Sequence, residues 1–165
     1  LIIMTTSVKK TYTWDYVTTA CKDLAEKITR AKVEPKYIIG VSRGGLIPAT
    51  LLAKELGVRE VYSFGVRSYS DGIDFESRRA EPTVYQDIKH CYQLCRDNNI
   101  LIVDDITDKG NTFKFITNYL LDMSAALPRR VSTVTLFRKE QSSYKPSFTH
   151  ACVDDNEWVI FPWER

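Results

Sequence analysis

The chain has 165 residues, 44% hydrophobic and 27% charged, enough for one ordinary domain (residues 1–165) and too few for two with independent cores. A net charge of only +2 argues against the basic surface needed to hold a nucleic-acid backbone, while a local anion site needs no global charge. Leu1 to Met4 are apolar for only four positions before Thr5, Ser7, Lys9 and Lys10, neither a signal-peptide core nor a membrane span, so the expected compartment is the cytoplasm.

Thr13 is placed to cap a helix whose apolar positions Val17, Ala20, Cys21, Leu24 and Ile28 recur at helical spacing. Tyr37 to Val41 is a short apolar run with the character of a buried strand. It ends at Ser42-Arg43-Gly44-Gly45 and is followed by a predicted helix from Leu46 to Leu56, with Pro48 in its first turn and Gly57 as its C-cap. A strand is predicted over Val61 to Tyr69. The stretch from Ser70 to Asn99 contains an Asp71-Gly72 turn, a charged segment from Glu76 to Glu81 and a helical pattern from Val84 to Cys95. Cys91 and Cys95 lie one helical turn apart beside His90, but the four cysteines lack the paired close spacing of a zinc site and read as reduced. Ile100 to Val103 is a second buried run; from Thr112 onward Phe113, Ile116, Leu120, Met123 and Leu127 mark a helix that Pro128 ends. Val131 to Phe137 is the next strand. Strands alternating with helices predict an α/β fold with a mostly parallel sheet flanked by helices and a ligand site beyond the carboxyl ends of the strands.

Two turns at such strand ends carry chemistry. After Ile100 to Val103, Asp104 and Asp105 place two carboxylates at a strand end. The turn Asp108-Lys109-Gly110-Asn111-Thr112 then opens into a helix whose free N–H groups and positive dipole end suit a phosphate. Gly110 permits close backbone approach, and Thr112 offers a hydroxyl as an N-cap. The Walker pattern is absent. At the earlier turn, Gly44 and Gly45 expose backbone N–H groups and Arg43 offers a charge-assisted fork, a combination suited to pyrophosphate.

The Ile100 to Thr112 segment resembles the phosphoribosyl pyrophosphate signature of type I phosphoribosyltransferases. That resemblance implies that Asp104 and Asp105 hold the ribose hydroxyls, partly through magnesium-bound water, and that Asp108, Lys109, Gly110, Asn111 and Thr112 cradle the 5-phosphate. Lys109 and Asn111 stand where members usually carry small or hydroxyl residues. Ser42, Arg43 and Gly44 resemble the pyrophosphate loop of the family, where a non-proline cis bond is common at the pair matching Arg43-Gly44. The likeness narrows to the xanthine-guanine members through Thr13-Trp14-Asp15, the block from Val41 to Gly57, and Val134 to Lys139. It implies that Lys139 contacts the purine O6, that Trp158 in a small C-terminal base-binding segment stacks on the base, and that the backbone of Val159 reads the 2-substituent. Trp163 is expected in the core, and Ile160 replaces a commonly acidic position.

The implied reaction displaces pyrophosphate from C1 of the ribose by a purine nitrogen, with guanine, xanthine and hypoxanthine as candidate bases and Mg2+ as cofactor. Asp108 is the implied acid/base at the purine N7. The segment from Ser70 to Arg79 is the expected flexible hood or lid, from which Arg78 or Arg79 brings a second cation to the pyrophosphate. A homodimer or homotetramer is implied, with neither nucleic acid nor membrane as a partner. Two other readings fit the same phosphate loops: a regulatory protein that binds phosphoribosyl pyrophosphate or a nucleotide without turnover, and a transferase for another base.

Overall fold

The computed structural model describes residues 7–67, 82–88, 98–124 and 131–165. Strand β1 (Val8–Thr11) leads into helix α1 (Trp14–Arg30), which is capped where Thr13 Oγ1 accepts the Tyr16 N–H at 3.1 Å. The buried face of α1 is Val17, Ala20, Cys21, Leu24, Ala25 and Ile28, the stripe expected from the spacing. Strand β2 (Tyr37–Ser42) is followed by α2 (Leu46–Leu56) with Gly57 as C-cap, then β3 (Glu60–Arg67) and β4 (Thr83–Gln86). Strand β5 (Ile100–Thr107) precedes α3 (Asn111–Ser124), and β6 (Val131–Lys139), β7 (Phe148–Val153) and β8 (Glu157–Ile160) lead to a 3-10 turn at Pro162–Glu164.

Among the described residues the main sheet has the order β4-β3-β2-β5-β6-β7, parallel throughout except for the antiparallel β3–β4 edge. From β2 the chain crosses through α2 to β3 on one side; from β5 it crosses through α3 to β6 on the other. The directions diverge between β2 and β5, so a crevice forms where the loops after these two neighbours part. Their register, Gly40 opposite Val103, sets the Ser42 turn beside the paired aspartates.

Both faces of the sheet are covered. Leu101, Val103, Val134 and Leu136 pack with α1 and α2; Ile39, Val41, Phe64, Ile100 and Ile102 pack with Phe113, Ile116 and Leu120 of α3. This explains why the central strands read as unbroken apolar runs rather than alternating ones. A separate two-stranded parallel sheet joins β1 to β8, tied by Tyr12 Oη donating to Glu157 Oε1 at 2.7 Å.

The region from Val84 begins as a strand, not a helix: Val84 pairs with Val66 and Thr83 with Arg67, so the sheet edge supplies a ladder that outweighs the local helical pattern. The rest of that predicted helix, with His90, Cys91 and Cys95, lies outside the described residues. So do Leu127, Pro128 and the Met123 side chain. Among the described residues no helix is long and apolar enough to cross a membrane.

Candidate functional site

The turn after β2 and the end of β5 face each other across the crevice. The peptide bond between Ser42 and Arg43 is cis, one position before the pair expected from the resemblance. Gly44 packs so closely on Asp105 that a Cβ there would overlap its carboxylate, so any larger residue at that contact would displace the Asp105 side chain. Gly45 N–H donates to Val41 O at 2.8 Å and Leu46 N–H to Arg43 O at 3.1 Å, fixing the turn against its own strand and the start of α2. The Arg43 side chain is exposed at the rim.

Strand alternation sends Asp105 to the side of Leu101 and Val103, toward α2, and Asp104 to the side of Ile100 and Ile102, toward α3. The two carboxylates therefore address both walls of the crevice. Asp104 Oδ1 accepts the Asp105 N–H at 2.9 Å, and Asp105 Oδ1 accepts the Ile106 N–H at 2.7 Å, so each carboxyl is held by the backbone. Burial raises both above the usual carboxylate range; the neighbouring Asp105 charge adds to the rise at Asp104, and the Glu164 carboxylate adds to that at Asp105. Neither carboxylate forms an ion pair among the described residues.

Two crowded anionic oxygens at a strand end are a donor set suited to a hard divalent cation. Among the described residues no group of three or more His, Cys, Asp or Glu could hold a metal unaided. Such an ion would complete its shell with water and substrate oxygens, as magnesium commonly does.

The turn after β5 is backed by the chain that follows β6. Ser143 N–H and Ser143 Oγ donate to the Lys109 carbonyl at 3.2 and 2.7 Å, and Lys114 Nζ donates to Ser143 Oγ at 2.8 Å. Gly110 has φ of 92° and sits against Tyr144, so the turn is both left-handed and crowded there. Helix α3 begins at Asn111, which places Thr112 inside the first turn instead of at the cap; the left-handed Gly110 makes the reversal one residue earlier. Asp108, Lys109 and Asn111 are exposed. Thr107 Oγ1, at the mouth of this turn, is buried without a hydrogen-bond partner among the described residues.

The third wall is β8. Lys139 is only 8% exposed, and its Nζ donates to Asp154 O at 3.1 Å, Asp155 O at 3.4 Å and, closely, Glu157 O. All three ammonium protons thus face main-chain carbonyls. Val8 N–H donates to Asn156 O and Tyr12 N–H to Ile160 O, so even-numbered residues of β8 turn their backbone groups toward β1. By alternation, Val159 presents its N–H and C=O on the opposite edge, the edge that already carries Glu157 O and Lys139 Nζ. Trp158 is 61% exposed beside it, while Trp163 stacks on Phe161 with ring centroids 4.6 Å apart. Lysine, tryptophan and free backbone therefore converge. Sequence reading missed the supports: Tyr12, Ser143, Tyr144 and Tyr85 belong to no motif and gain their roles from distant partners. Arg78, Arg79 and the expected lid from Ser70 to Arg79 lie outside the described residues.

Residues 7–164 match the phosphoribosyl transferase domain family. The chain is 30% identical to a xanthine-guanine phosphoribosyltransferase of Idiomarina loihiensis, over 92% of this chain and 84% of that one. It is similar to the crystal structure of a purine phosphoribosyltransferase from Pyrococcus horikoshii, with a TM-score of 0.75, 28% identity and 95% of each chain covered. It is also similar to a Neisseria gonorrhoeae protein solved with bound ppGpp, with a TM-score of 0.79, 27% identity and coverage of 96% of this chain and 90% of that one.

A carboxyl whose pKa is higher in the folded than in the unfolded chain stabilises the fold when protonated, and that contribution is lost as pH rises from the ordinary carboxylate range toward neutrality. Asp105→Asn keeps an oxygen to accept the Ile106 N–H and removes the charge. The melting temperature at pH 8, without added ligands, should rise by about 2–4 °C, with a smaller gain at pH 4. Differential scanning calorimetry at both pH values checks this; a lower melting temperature at pH 8 would show the charge to be satisfied.

Proposed function

The chain belongs to the phosphoribosyl transferase family, and on that premise we propose that it transfers the 5-phosphoribosyl group from phosphoribosyl pyrophosphate to a 6-oxopurine. The candidate bases are guanine, xanthine and hypoxanthine, the products a purine nucleoside 5'-monophosphate and pyrophosphate, and the role a cytoplasmic purine-salvage enzyme built as one catalytic unit. The observation that carries this reading is the meeting, at one crevice, of the Arg43-Gly44 turn with the Asp105 carboxylate.

In the reaction the bond from C1 of the ribose to pyrophosphate breaks while a purine nitrogen lone pair forms the new C–N bond on the opposite face. Asp104 and Asp105 hold the ribose hydroxyls and would hold the magnesium, which when bound supplies positive charge to the departing pyrophosphate. Arg43 adds a fork of donors on that side. The backbone from Asp108 to Thr112, with the dipole end of α3, holds the 5-phosphate, and Lys109 adds charge at the rim. Asp108, exposed at the mouth of the turn, accepts the proton leaving the purine N7.

Trp158 offers its exposed face to the purine, and the free Val159 backbone reads the 2-substituent. Lys139 reads O6 by exchanging its longest carbonyl bond, to Asp155, for the purine oxygen. A 6-amino group cannot accept that proton, so adenine leaves the lysine and its own amino group mismatched.

A second reading, a nucleotide-binding regulator without turnover, finds its support in the ppGpp bound to the Neisseria relative. Assay of nucleotide formation with phosphoribosyl pyrophosphate across guanine, xanthine, hypoxanthine, adenine and uracil decides between them. Nucleotide should form with the 6-oxopurines alone and vanish when divalent ions are chelated; no product with any base would leave the regulator.

Asp108→Asn should slow the single-turnover rate about 100- to 10,000-fold while changing phosphoribosyl pyrophosphate affinity by less than roughly tenfold. A near-native single-turnover rate would move the proton transfer elsewhere. The family resemblance also implies self-association, and light scattering at micromolar concentration should return a dimer or tetramer; a monomer contradicts it.

A further inference from the structure

The pyrophosphate turn is gripped on its outer side by a residue that no motif contains, and that residue in turn holds an arginine. Tyr85, on the edge strand β4, reaches across β3 to the end of β2. Its hydroxyl lies 3.1 Å from Ser42 Oγ and 3.3 Å from the Ser42 carbonyl oxygen, donating toward them. The ring can cross because Gly65 lies beneath it: a Cβ at Gly65 would overlap the Tyr85 ring. Gly65 is also the residue in register with Ser42. The turn is therefore held between Asp105, against Gly44, and Tyr85, against Ser42.

Arg67 follows Gly65 by two positions on β3 and so shares its face of the sheet. At about 3.3 Å per residue it stands roughly 7 Å beyond the level of Ser42, past the carboxyl end of β2. Its guanidinium carbon is 5.7 Å from the centre of the Tyr85 ring, a cation–π arrangement that steadies the side chain without consuming its in-plane donors. Arg67 is exposed and makes no ion pair among the described residues.

We propose that Tyr85 and Arg67 form the outer wall of the pyrophosphate subsite, with Tyr85 positioning the Ser42 turn and Arg67 supplying a second cation to the diphosphate opposite Arg43. This rests on the transferase reading above and adds to it two residues outside its motifs. A diphosphate is a fitting guest because its oxygens are divided between two phosphorus atoms, each able to take a guanidinium fork. The ring ties the two roles together: the hydroxyl fixes the turn while the face fixes the arginine.

The test measures, for Arg67→Gln, Arg67→Lys, Tyr85→Phe and Arg43→Ala, the KM for phosphoribosyl pyrophosphate, the inhibition constant of pyrophosphate, the KM for guanine and the melting temperature. Arg67→Gln should raise the first two constants about tenfold or more and leave the guanine KM within about twofold. Arg67→Lys should recover part of that loss, and Tyr85→Phe, which keeps the ring, should raise the same two constants about threefold. Unchanged pyrophosphate constants in Arg67→Gln overturn the proposal, as does a parallel shift of all three constants with a lower melting temperature. If Arg43→Ala weakens pyrophosphate and Arg67→Gln does not, the transferase reading stands and this inference falls. If neither weakens it, the pyrophosphate turn itself has been misassigned.

Discussion

Everything at the site depends on the parallel pairing of β2 with β5. Side-by-side strands whose crossovers run in opposite directions leave a gap beyond their carboxyl ends, and the register of Gly40 with Val103 decides what borders it. A turn able to bind an anion and a pair of carboxylates come to lie in contact, with no side chain between Gly44 and Asp105. The contact carries an electrostatic mismatch: two buried carboxylates crowd together there with no ion-pair partner among the described residues.

That mismatch is visible in the protein's own energetics. Burial penalises the charged forms of Asp104 and Asp105, and the Asp105 charge adds to the penalty at Asp104 as the Glu164 carboxylate does at Asp105. A fold selected for stability alone would place apolar or amide groups there, since removing a buried like-charge pair relieves repulsion directly. The carboxylates persist at a strand end where the backbone holds each of them by one hydrogen bond, which fixes their direction without neutralising them. A preorganised pair of this kind spends no reorganisation energy when a cation and a polyanionic substrate arrive.

Local patterns gave away much of the fold and the positions of the turns after β2 and β5. The apolar runs of β2 and β5, the Thr13 cap, the helical stripe of α1 and the Phe113, Ile116 and Leu120 part of that of α3 are signals carried by neighbours in sequence, and they appear where expected. What stayed hidden is whatever depends on distant partners. Strand β1, Val8 to Thr11, is exposed at every position and has no pattern to recognise; it is a strand because β8 lies beside it. Strand β4 overrode a helical pattern for the same reason, by pairing with β3. Lys139 reads as a surface charge after a strand, yet the fold closes three carbonyls around it. Tyr85 and Tyr12 each act through a single hydroxyl whose partner lies 43 or 145 positions away, and no spacing rule reaches that far.

The pairing of β1 with β8 has a bearing on how the protein is made. Strand β1 must wait for β8, since Tyr12 and Glu157 are separated by 145 positions and closing so long a loop is an entropic cost met late. The turns after β2 and β5, by contrast, lie between strands completed by residue 139. During synthesis the half of the crevice bordered by these two turns can therefore assemble on the nascent chain before the edge that carries Trp158 and Val159 exists. A chain cut short after β7 would keep both strand-end turns and lack the edge that carries Trp158 and Val159.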